Sequence, residues 1–222
     1  MSEIGEEIKV TEILKKYFSK NIVNFLLGVI HEFFVIGYVR GSNAFKKCNK
    51  IFYRPYYSYD LSVECEDKVI YIEVKGYSLL RRLVKLLLKR VNASAKRVQK
   101  YNEKINKLLH DEFRLDSKFR KRYRLVAFVN LNNFKVVLIS YEVLKRIFLI
   151  LNKDNYLGHD LLQIIHFLLI KLIKLNDEEG IRKICEEFKG IISIYMGKVW
   201  RKICSKYIDK YRFIEDIEEW EE

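Results

Sequence analysis

The apolar positions of the first forty residues recur at three- and four-residue steps. Ile13, Leu14, Tyr17 and Phe18 are followed by Ile22, Phe25, Leu26, Val29, Ile30 and Phe33, the stripe of an amphipathic helix over residues 7–39. A break near Ser19–Asn21 can split it into two, and Arg40-Gly41-Ser42-Asn43 reads as a turn. Residues 45–59, rich in Phe and Tyr, predict an irregular strand. The period then changes to two. Leu61, Val63 and Cys65 alternate with Asp60, Ser62 and Glu64, and Ile70, Ile72 and Val74 alternate with Tyr71, Glu73 and Lys75. Two antiparallel strands turning about Glu66-Asp67 follow from this pattern. Ser78 is placed to cap a helix with the stripe Leu80, Leu83, Val84, Leu87, Leu88 and Val91, which runs on to Leu109 or restarts at Ser94. Leu125–Leu131 and Lys135–Ser140 predict two more strands. Tyr141–Leu151, Asp160–Leu175, Glu178–Lys189 and Ile191–Phe213 predict helices.

This order, helix, three strands, helix, two strands, helices, predicts an α/β fold: a mixed central sheet flanked by helices over residues 1–152, with a helical C-terminal extension over 153–222 packed on the same domain. Half of the 222 residues are hydrophobic and a single proline, Pro55, interrupts the chain, which excludes a disordered polymer or a Pro-rich linker. The longest apolar runs, Phe25–Val39 and Leu161–Leu175, carry charges or histidines and fall short of a membrane span. The N-terminus is acidic, unlike a signal peptide. The expected location is therefore cytoplasmic, the host cytoplasm for a virus-encoded chain. Cys48, Cys65, Cys185 and Cys204 form no C-x-x-C pair, so four reduced thiols are expected; one or two disulfides would fit a hyperthermophilic source.

Charge changes the picture. The net charge is +13, and the segment Lys75–Arg124 holds 17 Lys and Arg against four acids, so the remainder of the chain is neutral. Charge concentrated in this way attracts a polyanion, of which nucleic acid is the first candidate and an anionic membrane the second. Arg81, Arg82, Lys85, Lys89, Arg90, Lys96 and Arg97 are the expected phosphate contacts; a solvated helix face would show the same residues. His31 and His166 are read as packing or surface histidines.

The hairpin register places chemistry together. A turn at Glu66-Asp67 sets Val63 opposite Ile70 and Asp60 opposite Glu73, with side chains about 5 Å apart on one face. Two opposed carboxylates repel unless a cation lies between them, and Mg²⁺ accepts one or two carboxylates with several waters. Lys75, two residues beyond Glu73, projects from that face, where an ammonium can polarise a water or stabilise charge growing on a phosphate.

Asp60, twelve residues, then Glu73-Val74-Lys75 resembles the active-site motif of the PD-(D/E)xK nuclease superfamily, with Tyr59 where the family often has proline. Upstream, Gly28-Val29-Ile30-His31-Glu32 and Gly37-Tyr38-Val39-Arg40-Gly41-Ser42 look like the start of archaeal Holliday-junction resolvases, and the chain is also similar to the nuclease-like protein of fuselloviruses. The resemblance covers about residues 25–140. It implies a restriction-endonuclease-like core and a divalent-metal-dependent endodeoxyribonuclease that cuts branched or structured DNA. Glu32, Asp60, Glu73 and the Val74 carbonyl would hold Mg²⁺ or Mn²⁺, with no organic cofactor. Asp60, Glu73 and Lys75 would be catalytic, and Arg40, Ser42 and Gln99 would join the DNA contacts. A homodimer is implied by analogy with resolvases. The alternatives are a DNA-binding protein that keeps the fold without cleaving, and a nuclease directed at RNA.

Overall fold

The computed structural model describes residues 10–54, 59–113, 124–152 and 159–195. The long N-terminal helix is indeed two: α1 (Val10–Tyr17) and α2 (Lys20–Gly41), separated at Phe18–Ser19. A short 3-10 turn, Asn43–Phe45, leads into β1 (Cys48–Tyr53), and β2 (Leu61–Cys65) and β3 (Val69–Gly76) follow. Strand β3 passes without a loop into α3 (Tyr77–Val91), so Ser78 lies inside the first turn instead of capping it. The helical run does restart, as α4 (Ala95–Phe113), its first N–H groups accepted by the Ser94 carbonyl. Then come β4 (Arg124–Asn130), β5 (Lys135–Ser140), α5 (Tyr141–Leu151), α6 (His159–Lys174) and α7 (Glu178–Tyr195). The last is one helix kinked at Phe188, whose backbone leaves the helical region; the remainder of the expected Ile191–Phe213 helix lies outside the described residues.

The fold is α/β. Five strands form one mixed sheet in the order β1-β2-β3-β4-β5, antiparallel at every pairing except the parallel β3–β4. The described residues fall into two compact units. One takes those up to Leu79 together with Arg124–Glu142; the other takes Leu80–Phe113 and those from Val143 onward.

In the first unit, α2 packs on the sheet. Val35 and Val39 meet Leu61, Val63, Ile72, Val74, Ala127 and Val129, all under a tenth exposed. This is the alternation read from the sequence, with the apolar residues of β2 and β3 turned to the helix. Burying a Val, Leu or Ile side chain is worth about 1.5–3 kcal/mol, so this layer fixes the register of the strands. By length and composition α2 could also cross a membrane, a property missed by considering only the shorter run Phe25–Val39.

The thiol expectation is overturned. Cys48 and Cys65 are cross-strand partners of β1 and β2 and form a disulfide, and Cys185 is disulfide-bonded as well. Antiparallel pairing brings the first two side chains face to face, which the spacing of 17 residues in sequence conceals.

The second unit is held by polar contacts around its apolar stripes. Leu80, Leu83, Val84, Leu87 and Leu88 of α3 and Ile105, Leu108, Leu109 and Phe113 of α4 are buried, as are Leu161, Ile165, Leu168, Leu169 and Leu172 of α6. Asp177 caps α7, accepting from the Gly180 N–H at 3.1 Å, and also accepts from Arg81 Nε at 2.7 Å, with a second bond from the same guanidinium. A side chain at position 180 would run into this pair, which explains the glycine.

Candidate active site

Three elements of the first unit bring the acidic residues together. The β2–β3 register is the expected one: Val63 opposes Ile70 and Leu61 opposes Ile72. The Asp60 N–H also donates to the Ile72 carbonyl at 3.1 Å, which holds Asp60 against β3 just past the last paired residue, Leu61. The Asp60 Oδ2 accepts the Val74 N–H at 2.6 Å. In an extended strand the carbonyl of a residue leaves on the same side as its N–H, so the Val74 oxygen is turned toward this end of β2.

Glu32 arrives from α2. It sits three and seven residues before Val35 and Val39, on the stripe that faces the sheet. Its Oε2 is buried without a hydrogen-bond partner, although a buried carboxylate oxygen ordinarily finds a donor or a cation. His31, beside it, packs its ring edge against Gly76 at the end of β3; burial there lowers its pKa and keeps the ring neutral, consistent with a packing histidine.

The charges of Glu73, Glu32 and Lys75 all act on Asp60. Its pKa is raised from the ordinary 3.8 to about 6, first by burial and then by the repulsion of Glu73 and Glu32, against the pull of the Val74 N–H and of Lys75. The Glu73 and Glu32 carboxylates thus both lie within electrostatic reach of Asp60.

Glu73 is more constrained than the sequence suggested. It is 3% exposed, and its two oxygens are held by different cations: Oε1 by Lys75 at 3.1 Å and Oε2 by Arg124. Arg124 was counted with the polyanion-attracting segment, yet it is only 4% exposed. It stands level with Tyr71 on the parallel strand β4, on the Glu73 face, and its guanidinium lies over the Tyr141 ring at 4.4 Å. Only its position as a charge at the mouth of an apolar strand run hinted at this. The Tyr59 and Tyr71 rings pack at a 58° tilt with centroids 4.6 Å apart, and Tyr59 is buried, so the tyrosine before Asp60 serves packing.

A divalent cation has donors of the right chemistry here: Glu32 Oε2, the Asp60 carboxylate and the Val74 carbonyl are hard oxygens, and a cation would relieve both the orphaned oxygen and the repulsion at Asp60. Among the described residues, however, no three His, Cys, Asp or Glu side chains converge into a ready ligand set. Glu73 is drawn off by Arg124 and Lys75. The residues present fit a site with two carboxylate ligands more readily than one with three.

The remaining candidates divide. Arg40 is exposed on the last turn of α2, and the Ser42 hydroxyl accepts the Ala44 N–H, capping the 3-10 turn. In the second unit, Arg81 is bound by Asp177, Lys85 and Lys89 pair with Glu187 at 3.7 and 2.9 Å, and Arg90 donates to Asn102. Arg82, Lys96 and Arg97 are exposed, and the Gln99 amide turns to Glu103 on its own helix. No protein-family model, curated protein or solved structure matches the chain.

Proposed function

We propose that the chain is a divalent-metal-dependent DNA endonuclease with a restriction-endonuclease-like core, acting on branched or structured DNA. The observation that carries this reading is the placement of Glu32, Asp60, Glu73 and Lys75 around one end of β2 and β3. It joins two acids within electrostatic reach of Asp60, one buried oxygen without a donor, and an ammonium 3.1 Å from Glu73. Glu32, Asp60 and the Val74 carbonyl would hold Mg²⁺ or Mn²⁺. When bound, such an ion acidifies water and offsets charge on a phosphate.

The chain's own groups supply the rest. Lys75, anchored by Glu73, presents an ammonium that orients a water for in-line attack and stabilises the developing phosphorane charge. Arg124 holds Glu73 in place through its second oxygen, so that Lys75 has a stationary partner. Asp60, whose pKa burial and its acidic neighbours raise to about 6, would be one of the carboxylates that hold the cation. As in resolvases, a homodimer would present two such sites to opposite strands.

A second reading, a DNA-binding protein that retains the fold without cleaving, is favoured by one observation: Glu73 is engaged on both oxygens by cations of its own chain. One experiment separates the two. Wild type, Glu73→Gln and Lys75→Ala are incubated with linear, single-stranded and four-way-junction DNA, in Mg²⁺ or EDTA. The nuclease reading expects Mg²⁺-dependent scission by wild type and a loss of at least a hundredfold in both variants. Identical behaviour of all three proteins on every substrate rejects it.

A further inference from the structure

The basic segment is not uniform, and the difference between its two helices points to where a polyanion sits. On α3, four cations are already engaged within the second unit: Arg81 with Asp177, Lys85 and Lys89 with Glu187, Arg90 with Asn102. On α4 the situation is reversed. Lys96, Arg97, Lys100, Lys104 and Lys107 are all exposed, and none forms an ion pair among the described residues. At 100° per residue these five fall within an arc of about 100°, spread over about 17 Å of helix.

Of the three acids of that helix, Asp111 pairs with His110, Glu112 lies on the other side, and Glu103, at the edge of the stripe, accepts the Gln99 amide at 3.4 Å, so five cations face one acid there. Like charges at i, i+4, such as Lys96–Lys100 and Lys100–Lys104, weaken a helix when nothing offsets them. The stripe is therefore an electrostatic liability in the isolated chain and an asset against a polyanion. The opposite side of α4, Ile105, Leu108, Leu109 and Phe113, is fully buried, so the helix has no apolar flank to insert into a lipid surface.

We propose that this exposed face of α4 is the docking surface for the sugar-phosphate backbone of duplex DNA. The proposal rests on the nucleic-acid part of the reading above and assigns the contact to α4 rather than α3. One strand of B-DNA carries a phosphate about every 3.4 Å along the axis, so a 17 Å stripe spans about five phosphates, one for each cation. Tyr101, with Lys104 lying over its ring, holds one of these ammonium groups in place.

The test is the salt dependence of duplex binding by the full chain in EDTA, where scission does not interfere. The variant Lys96→Gln/Lys100→Gln/Lys104→Gln/Lys107→Gln, in which glutamine keeps the helix propensity, is compared with wild type and with Lys85→Gln/Lys89→Gln. Circular dichroism checks that each retains its helices. The four-site variant is expected to reduce the slope of log K against log salt by about 3–4, and the α3 variant by less than about 1. An unchanged slope in the four-site variant, or an equal loss in the α3 variant, overturns the proposal. So does loss of binding to phosphatidylserine vesicles with duplex binding intact, which would assign the stripe to a membrane. Absence of scission by wild type alongside the expected slopes would reject the catalytic reading and leave this surface standing.

Discussion

Asp60→Asn is expected to make the metal-free protein more stable at neutral pH. Asp60 has a folded-state pKa of about 6 against an ordinary 3.8. The native state therefore binds a proton more tightly than the unfolded chain, and stability declines as pH rises from about 4 to about 6. The shift spans about two units, and at 1.36 kcal/mol each the ceiling is about 3 kcal/mol. An amide carries no charge for Glu32 and Glu73 to repel, and its oxygen can still accept the Val74 N–H. About 2–3 kcal/mol should be recovered at pH 7.5, a rise in Tm of roughly 4–12 °C for a chain of this size. The assay is thermal unfolding followed by circular dichroism in EDTA across pH 4–8. The difference between the proteins should shrink to a small fraction near pH 4, where Asp60 is protonated in the folded state and about half protonated in the unfolded chain. Added Mg²⁺ should stabilise wild type and leave the variant nearly unmoved. A variant no more stable than wild type at pH 7.5, or a gap that stays constant to pH 4, refutes the electrostatic account of the site.

Two further outcomes follow from the buried contacts. Arg124→Met should destabilise the chain by about 3–5 kcal/mol, because it strands the Glu73 carboxylate. Arg124→Met/Glu73→Gln should recover most of that loss, a coupling that chemical denaturation of the four proteins of the cycle would measure. Cys48→Ser/Cys65→Ser should lower the unfolding free energy by about 3 kcal/mol, read from urea midpoints with and without reductant. Equal midpoints for wild type under both conditions would show that the bridge adds nothing.

Much of the sheet was legible because its chemistry is local. The period-two patterns of β2 and β3 and a two-residue turn fix which residues oppose, so the Val63–Ile70 pair followed from counting, and with it the approach of Asp60 to the Glu73 charge. Glu32 was reached through the resemblance to resolvases and not through the pattern, because the stripe read along α2 ran through Ile22, Phe25 and Phe33, which are exposed, whereas the buried residues of that helix are Val23, Val35 and Val39. Arg124 was not legible. Its partner lies 51 residues earlier on a parallel strand, and no local pattern encodes a parallel register. The same holds for Arg81 and Asp177, 96 residues apart, and for Glu187: the cations of α3 looked available because their acids are distant in sequence. The Cys48–Cys65 bridge went unread because an irregular strand with a bulge gave no register from which to predict it. Ser78 shows a smaller error, a capping residue inferred where the strand needs no cap because it runs straight into the helix.

The lone parallel pairing has a kinetic consequence. Strand β4 can join β3 only after the ribosome or the refolding chain has supplied all of α3 and α4, whereas the β1–β2–β3 meander is complete within its own short stretch of sequence. Early assembly should therefore yield a three-stranded hairpin array in which the β3 edge is exposed, with Glu73 awaiting its guanidinium. Closing so long a connection is the slow, entropically demanding event, and crowded or hot conditions would favour strand addition from a neighbouring molecule at that edge.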